Sequence, residues 1–500
     1  MSGMNISDAF NGHFDNMSDI NDLVTFPSAR RLAPVPTATL QQALALVDAS
    51  GAAELMAAWE REDGARRASS SLPARVVLAA WVVLAMEGTP LTVQSVAVLI
   101  ASRLTLTTRA LLGLPDTFAY LSEQQVAGRV RRATLRVLDV MDAFPLPTRQ
   151  RRLTKREWDE VCAQRGENAA QLEVKRRRFV EFANRLLAAQ CETVRDRVRR
   201  DEVNVALGTR FRGAHAVGIG KRRMAELQPG GLVSAEPDAG FRADVVPGMS
   251  TLRARYGWED DLIVLTSQDP AGAHRVPNIV IGFNTHRPGM VPARFAGEAL
   301  LHMADRGTRV GHVVVNRARM SERAEHLRGP LRALGAQLVG DYPISRLGVR
   351  EVAGNGVLVE GAWYHPSMPP RLRDAVKAFR STTTTSCAYR AAARGDALGD
   401  LIAERAEYML RPKREAAEGA GGGVHVQRYP YLSPEWDRAY TAGRCAIEAY
   451  LRALDCREEP AAVSGVRGAT GQAFLSLLAI VGTNSCIISA HPAAHADEEV

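Results

Sequence analysis

The six cysteines, at positions 162, 191, 387, 445, 456 and 486, never stand two residues apart. That spacing excludes a zinc knuckle, and the scatter excludes a dense disulfide framework, so a reducing compartment is the simplest reading. Long apolar runs are missing as well. The longest, VVLAAWVVLAM at residues 76–86, is closed by Glu87, Gly88 and Pro90. A helix of that length rises about 16 Å, roughly half the hydrocarbon thickness of a bilayer. The run therefore predicts a core helix, and no membrane partner is expected. The N-terminus carries Asp8, Asp15 and Asp19 and lacks a basic-then-apolar leader. Export is not expected and the cytoplasm is.

What is present is ordinary in bulk and uneven in distribution. The 500 residues are 46% apolar and 24% charged, enough for two or three domains with buried cores. The net charge of +8 is concentrated. Residues 121–200 hold 19 basic side chains against 11 acidic ones, a surplus equal to that of the whole chain. Such a block suits a polyanion, most commonly nucleic acid, although a solvated helical face in an arginine-rich chain would look the same.

Periodicity divides the chain. Residues 1–35 are polar and read as a disordered arm. From 36 to 150, apolar residues recur at three and four, with breaks at Gly51, Gly88 to Pro90, and Gly113 to Pro115. This predicts an all-α, helix-turn-helix-like domain, followed by a basic helical linker over 151–200. The period then changes. Strands are predicted at 203–207, 262–265, 278–283, 310–315 and 337–339, with helices at 292–306 and 321–334. Residues 344–433 read as an irregular insertion containing the threonine run from Thr382 and the glycine-rich 419–423 stretch. A helix returns at 434–455 and an apolar one at 472–480, completing an α/β core made of 201–343 and 434–485. The stretch 486–500 reads as a disordered tail.

Five short strings carry a resemblance. They are Leu232-Val-Ser-Ala-Glu-Pro-Asp-Ala-Gly240, Arg255-Tyr-Gly-Trp258, Val313-Val-Val-Asn-Arg-Ala318, Leu331-Arg-Ala-Leu-Gly335 with Gly340-Asp-Tyr342, and Arg444-Cys-Ala-Ile-Glu448. In this order the chain resembles bacterial insertion-sequence transposases with a ribonuclease H-like catalytic domain and a Tyr-Arg-Glu-Lys signature, over roughly residues 70 to 485. The resemblance implies an α/β ribonuclease H-like fold with an insertion before the last catalytic helix, preceded by an all-α domain. It also implies double-stranded DNA as partner, a homodimer on paired element ends, and a bacterial cytoplasm with nucleoid association.

The implied chemistry is two-metal strand cleavage and transfer, for which three carboxylates must converge on Mg2+. Two of the three expected positions lack one. The first strand reads Val205-Ala-Leu-Gly-Thr209, which sets Leu207 at the first aspartate position. Asn316 stands at the second, and Glu448 holds the third. Asp238, in the loop string, is the reserve metal ligand beside Glu448 and Asn316. Tyr440 is one residue further from Arg444 than the signature asks. Asp455 replaces the signature lysine, where a carboxylate repels phosphate. Each residue also has a plainer reading: Leu207 as strand core, Asn316 as a turn former, and Glu448 as a surface acid paired with Arg444.

The expected DNA contacts are Arg129, Arg131, Arg132 and Arg136 on one helix, Lys175, Arg176, Arg177 and Arg178 on the next, and Arg444. The sequence thus predicts a transposase-type DNA-binding protein, defective in cleavage, that recognises mobile-element ends. Two alternatives stand beside it: an active Mg2+-dependent transposase, and a helix-turn-helix regulator unrelated to transposition.

Overall fold

The computed structural model describes residues 33–64, 72–148, 152–191, 203–214, 216–245, 252–266, 276–290, 292–320, 326–382, 397–410, 426–456 and 466–491. The N-terminal arm, the basic stretch 192–202 and most of the threonine and glycine runs lie outside the described residues.

Glycine ends the first helices where breaks were expected. Gly51, Gly88 and Gly113 all take positive φ, at 63°, 67° and 67°, which a side chain resists. Between them run α1 (Thr37–Ser50), α2 (Ala52–Glu62), α3 (Ala74–Glu87), α4 (Val93–Val98) and α5 (Leu106–Leu112). The next three are α6 (Glu123–Asp139), α7 (Lys155–Glu167) and α8 (Ala169–Gln190). Thr92, Thr105, Ser122 and Thr154 cap α4 to α7 through their hydroxyl oxygens, and the last two complete capping boxes with Gln125 and Glu157. As expected of a core helix, α3 is buried at every position from Val76 to Ala85.

The α/β part begins with β1 (Val203–Gly213) and continues with α9 (Lys221–Glu226), β2 (Gly240–Val245), β3 (Leu252–Thr266) and β4 (Val280–His286). There follow α10 (Pro292–Ala304), β5 (Val310–Val315), α11 (Arg317–Met320), α12 (Arg328–Ala333) and β6 (Gln337–Gly340). One mixed sheet results, in the order β2-β3-β1-β5-β6, with β4 also on β3. β3 is antiparallel to β1, β2 and β4, whereas β5 is parallel to both β1 and β6. The fold is therefore mixed α/β.

The expected insertion is more ordered than its sequence suggests. It holds a three-stranded antiparallel sheet, β7 (Val349–Ala353), β8 (Gly356–Val359) and β9 (Ala362–Tyr364). It also holds α13 (Pro370–Arg373), α14 (Ala375–Thr382) and α15 (Ala397–Ala406). Val357, Val359, Tyr364, Met368 and Leu372 form its own small core.

The chain then returns to the main sheet with α16 (Pro434–Asp455) and α17 (Ala469–Ala490). Trp436, Tyr440, Gly443, Ile447, Tyr450 and Leu454 line the buried stripe of α16, each large side chain contributing about 1.5–3 kcal/mol of burial. The helix crosses the sheet closely. A Cβ on Gly443 would lie 2.7 Å from Val314, and one on Gly208 would lie 2.9 Å from Ile447. α17 runs ten residues beyond the expected end at Ile480, because its polar side chains are satisfied internally. Asn484 bridges Gln190 and the Val280 backbone, and Ser476 donates to Asp260. By length and composition α17 is the one described helix able to cross a membrane, yet it packs on α3, α8 and β4 inside the protein.

The sheet thus has two covered faces. Gly208 of β1 and Val314 of β5 meet α16, while on the other face Asn284 bonds α10 and His286 stacks on Phe295.

Candidate nucleic-acid interface and the carboxylate positions

Alternation along β1 decides where each of its side chains points. Gly208 faces Ile447 of α16, so Leu207 and Thr209 face the α10 side. Leu207 is 1% exposed and sits opposite Ile263. It is core, as its plainer reading had it, and it is turned away from the helix that carries Glu448. The α16-facing neighbour offers no substitute, since Ile447 fills the space in front of Gly208.

Asn316 follows β5 and spends its side-chain oxygen on its own turn. The oxygen accepts the Arg319 backbone N–H at 3.0 Å, capping α11. Glu448 lies outside the buried stripe of α16, its side chain 54% exposed and 3.8 Å from the Arg444 guanidinium. Asp238 is engaged elsewhere. Its carboxylate accepts Arg165 Nη1 at 2.6 Å and Nη2 at 3.2 Å. Burial pushes the Asp238 carboxyl up from the usual range, and Arg165 opposes that. The residues named for Mg2+ therefore point to separate places, and this set does not fit a shared ion. Among the described residues no other group of three histidine, cysteine or acidic side chains is placed to hold a metal. Asp455, expected to repel phosphate, accepts Arg210 at 3.1 Å.

Thr209 leads instead to a buried charged network that the sequence pattern does not announce. Its hydroxyl meets Asp261 at 3.2 Å, and both accept hydrogen bonds from Arg319. His286 Nε2 lies 3.3 Å from the other Asp261 oxygen. Burial pulls His286 down, but Asp261 more than offsets this, so its pKa is raised. On the opposite face Asp260 takes Arg212, Thr285 and Ser476. Burial alone would push Asp260 up, yet Arg212 and these hydrogen bonds hold it down. Buried pairs of this kind are costly to break from one side, and they close the sheet rather than open a site.

The basic helices are also largely spent on the protein itself. Arg136 pairs with Glu60 and donates to the Leu72 carbonyl. Arg176 bridges Glu173 and Glu298, which raises its pKa, and Arg177 reaches the same Glu173. Arg178 is buried against Glu62, Asp63 and the Val140 carbonyl. Lys175 donates to the Asp139 carbonyl, Arg129 stacks over Phe118, and Arg444 pairs with Glu448. Arg131 and Arg132 of α6 are exposed. Arg131 and Lys175, 44 positions apart in sequence, line one groove of about 540 Å³, whose wall also includes Leu135, Asp139 and Asp142.

Comparison of the chain with protein-family models, with curated proteins and with solved structures finds no match.

Proposed function

We propose that the chain is a transposase-type DNA-binding protein with a ribonuclease H-like core, recognising mobile-element ends without cleaving them. The observation that carries this reading is the strand order. β4, β3 and β1 form an antiparallel trio, β5 and β6 continue from β1 in parallel, and α16 returns after an insertion to the face opposite α10. This order supports the ribonuclease H-like reading. The missing cleavage activity is supported by the scattered positions of Leu207, Asn316 and Glu448. A duplex partner is supported by the exposed Arg131 and Arg132 of α6. A homodimer on paired ends and a nucleoid-associated, cytoplasmic location follow from the same resemblance.

The test is a pair of assays on element-end duplexes. Binding should weaken steeply with salt, with a slope of about −0.9 per phosphate contact. No Mg2+-dependent nicking or strand transfer should accompany it. Robust metal-dependent turnover would sink the cleavage-defective reading, and salt-insensitive or absent duplex binding would sink the DNA-binding one.

A further inference from the structure

With the basic helices so largely paired internally, the question is where cationic side chains remain displayed. One answer lies in the segment after β1, well outside the basic block at 121–200. Lys221, Arg222 and Arg223 open α9, and all three are exposed. Arg222 has its side chain 93% exposed and a single surface partner, Glu226, at 3.0 Å. Among the described residues Lys221 and Arg223 have no acidic partner. Val217, four positions before Lys221, is 86% exposed.

The segment is nevertheless firmly held at both ends. Upstream, the Ala214 N–H donates to the Tyr256 carbonyl at 2.9 Å. Gly218 presses on the Tyr256 and Phe241 rings so closely that a Cβ there would lie 2.4 and 2.5 Å from them. Downstream, Met224 and Leu227 pack on a small separate core of Leu153, Val161 and Val233. The Lys155 N–H donates to the Gly231 carbonyl at 2.8 Å, tying the same segment to α7. Because the backbone is anchored this way, binding would order only the three side chains and not the segment that carries them, which limits the entropic cost.

We infer that Lys221, Arg222 and Arg223 form a phosphate-backbone contact for duplex DNA, in addition to Arg131 and Arg132 of α6. The inference rests on the DNA-binding reading above. Duplex DNA is favoured over an anionic membrane because Val217 is the only strongly exposed apolar side chain beside the three cations, Phe241 and Leu232 being 42% and 47% exposed, which leaves little apolar area to insert into a bilayer.

The experiment compares the full-length protein with K221E/R222E/R223E, K221Q/R222Q/R223Q and R131E/R132E on random-sequence duplex, across salt. All replaced side chains are exposed, and far-UV circular dichroism checks that the fold is kept. Losing three phosphate contacts should lower the salt slope by about 2.7 and weaken low-salt binding at least tenfold, with the glutamine variant intermediate. If the parent protein binds with a steep slope and K221E/R222E/R223E is unchanged, this inference falls while the DNA-binding reading stands. Loss of binding to phosphatidylserine vesicles with DNA binding intact would overturn it too. If the parent protein binds no duplex, both readings fall together.

Discussion

Replacing Arg165 with methionine removes the cation on which three segments converge. Arg165 donates to both oxygens of Asp238 and to the Pro145 carbonyl, and its guanidinium lies over the Trp158 and Phe144 rings at 5.2 and 5.8 Å. The two side chains are 14% and 8% exposed, so the pair is shielded from solvent. Methionine keeps much of the packing but leaves a buried carboxylate without its counter-charge, which typically costs 3–5 kcal/mol. The lobe joining α7 to the Asp238 loop should therefore open about two to nearly four decades more often, up to the limit set by global unfolding. Hydrogen exchange of the amides in residues 153–161 and 231–239 reads this directly.

The pH dependence gives the cost a signature. Asp238 already has a raised pKa, and Glu236 beside it is pushed up to about 7 by burial and by Asp238. A carboxyl raised in the folded state contributes stability at low pH and loses it as pH rises through the folded value. Removing Arg165 raises Asp238 further. The deficit of Arg165→Met should be largest above pH 7 and should shrink as both carboxyls protonate on the acid side. Arg165→Met/Asp238→Asn should recover most of the protection, because no buried charge is left over. Exchange that is unchanged at pH 8, or a double variant as labile as the single one, would refute the reasoning.

Four further outcomes can be checked. Leu207→Asp should yield a destabilised or insoluble protein with no gain of Mg2+-dependent nicking, since position 207 is 1% exposed on the face away from α16. Glu448→Gln should leave the unfolding free energy from denaturant titration within about 0.5 kcal/mol of the parent and leave duplex affinity unchanged, because the acid is surface-exposed. Gly482→Ala should lower thermal stability clearly, since the added methyl would lie 2.1 Å from the Ala85 carbonyl oxygen where α17 crosses α3. Burial holds His312 down at about 4, so its neutral form supports the fold above about pH 6.5 and that support, roughly 3 kcal/mol, fades as pH falls towards 4. His312→Leu should flatten this part of the acid denaturation profile measured by circular dichroism.

Several elements are legible in the amino-acid sequence alone. α16 occupies the residues predicted for it, because Ser433 and Pro434 mark its start and a sustained 3.6-residue period carries it to Asp455. β5 ends in three consecutive valines, Val313 to Val315, and is equally clear. β3 shows in the sequence only at its apolar end, residues 262–265, although it begins at Leu252. Glu259, Asp260 and Asp261 interrupt its pattern, and the arginines that allow the two aspartates to be buried, Arg212 and Arg319, come from β1 and α11. The small sheet of the insertion is hidden for a related reason. Its strands are three to five residues long and gain their core from helices that follow later in the chain.

Sequence by itself determined the alternation of strands and helices, the helix stops at glycine and the surplus of positive charge. Those are local properties, set by residue type and period. Only the tertiary structure decided which face of β1 meets α16, and so that Leu207 and Glu448 lie on opposite sides of the sheet. It also decided which cations stay displayed. Arg136, Arg176 and Arg178 look no different in sequence from Lys221 and Arg223. The acids that bind Arg136 and Arg178 lie far from them along the chain, as does Glu298, one of the two that bind Arg176, and they meet only on folding.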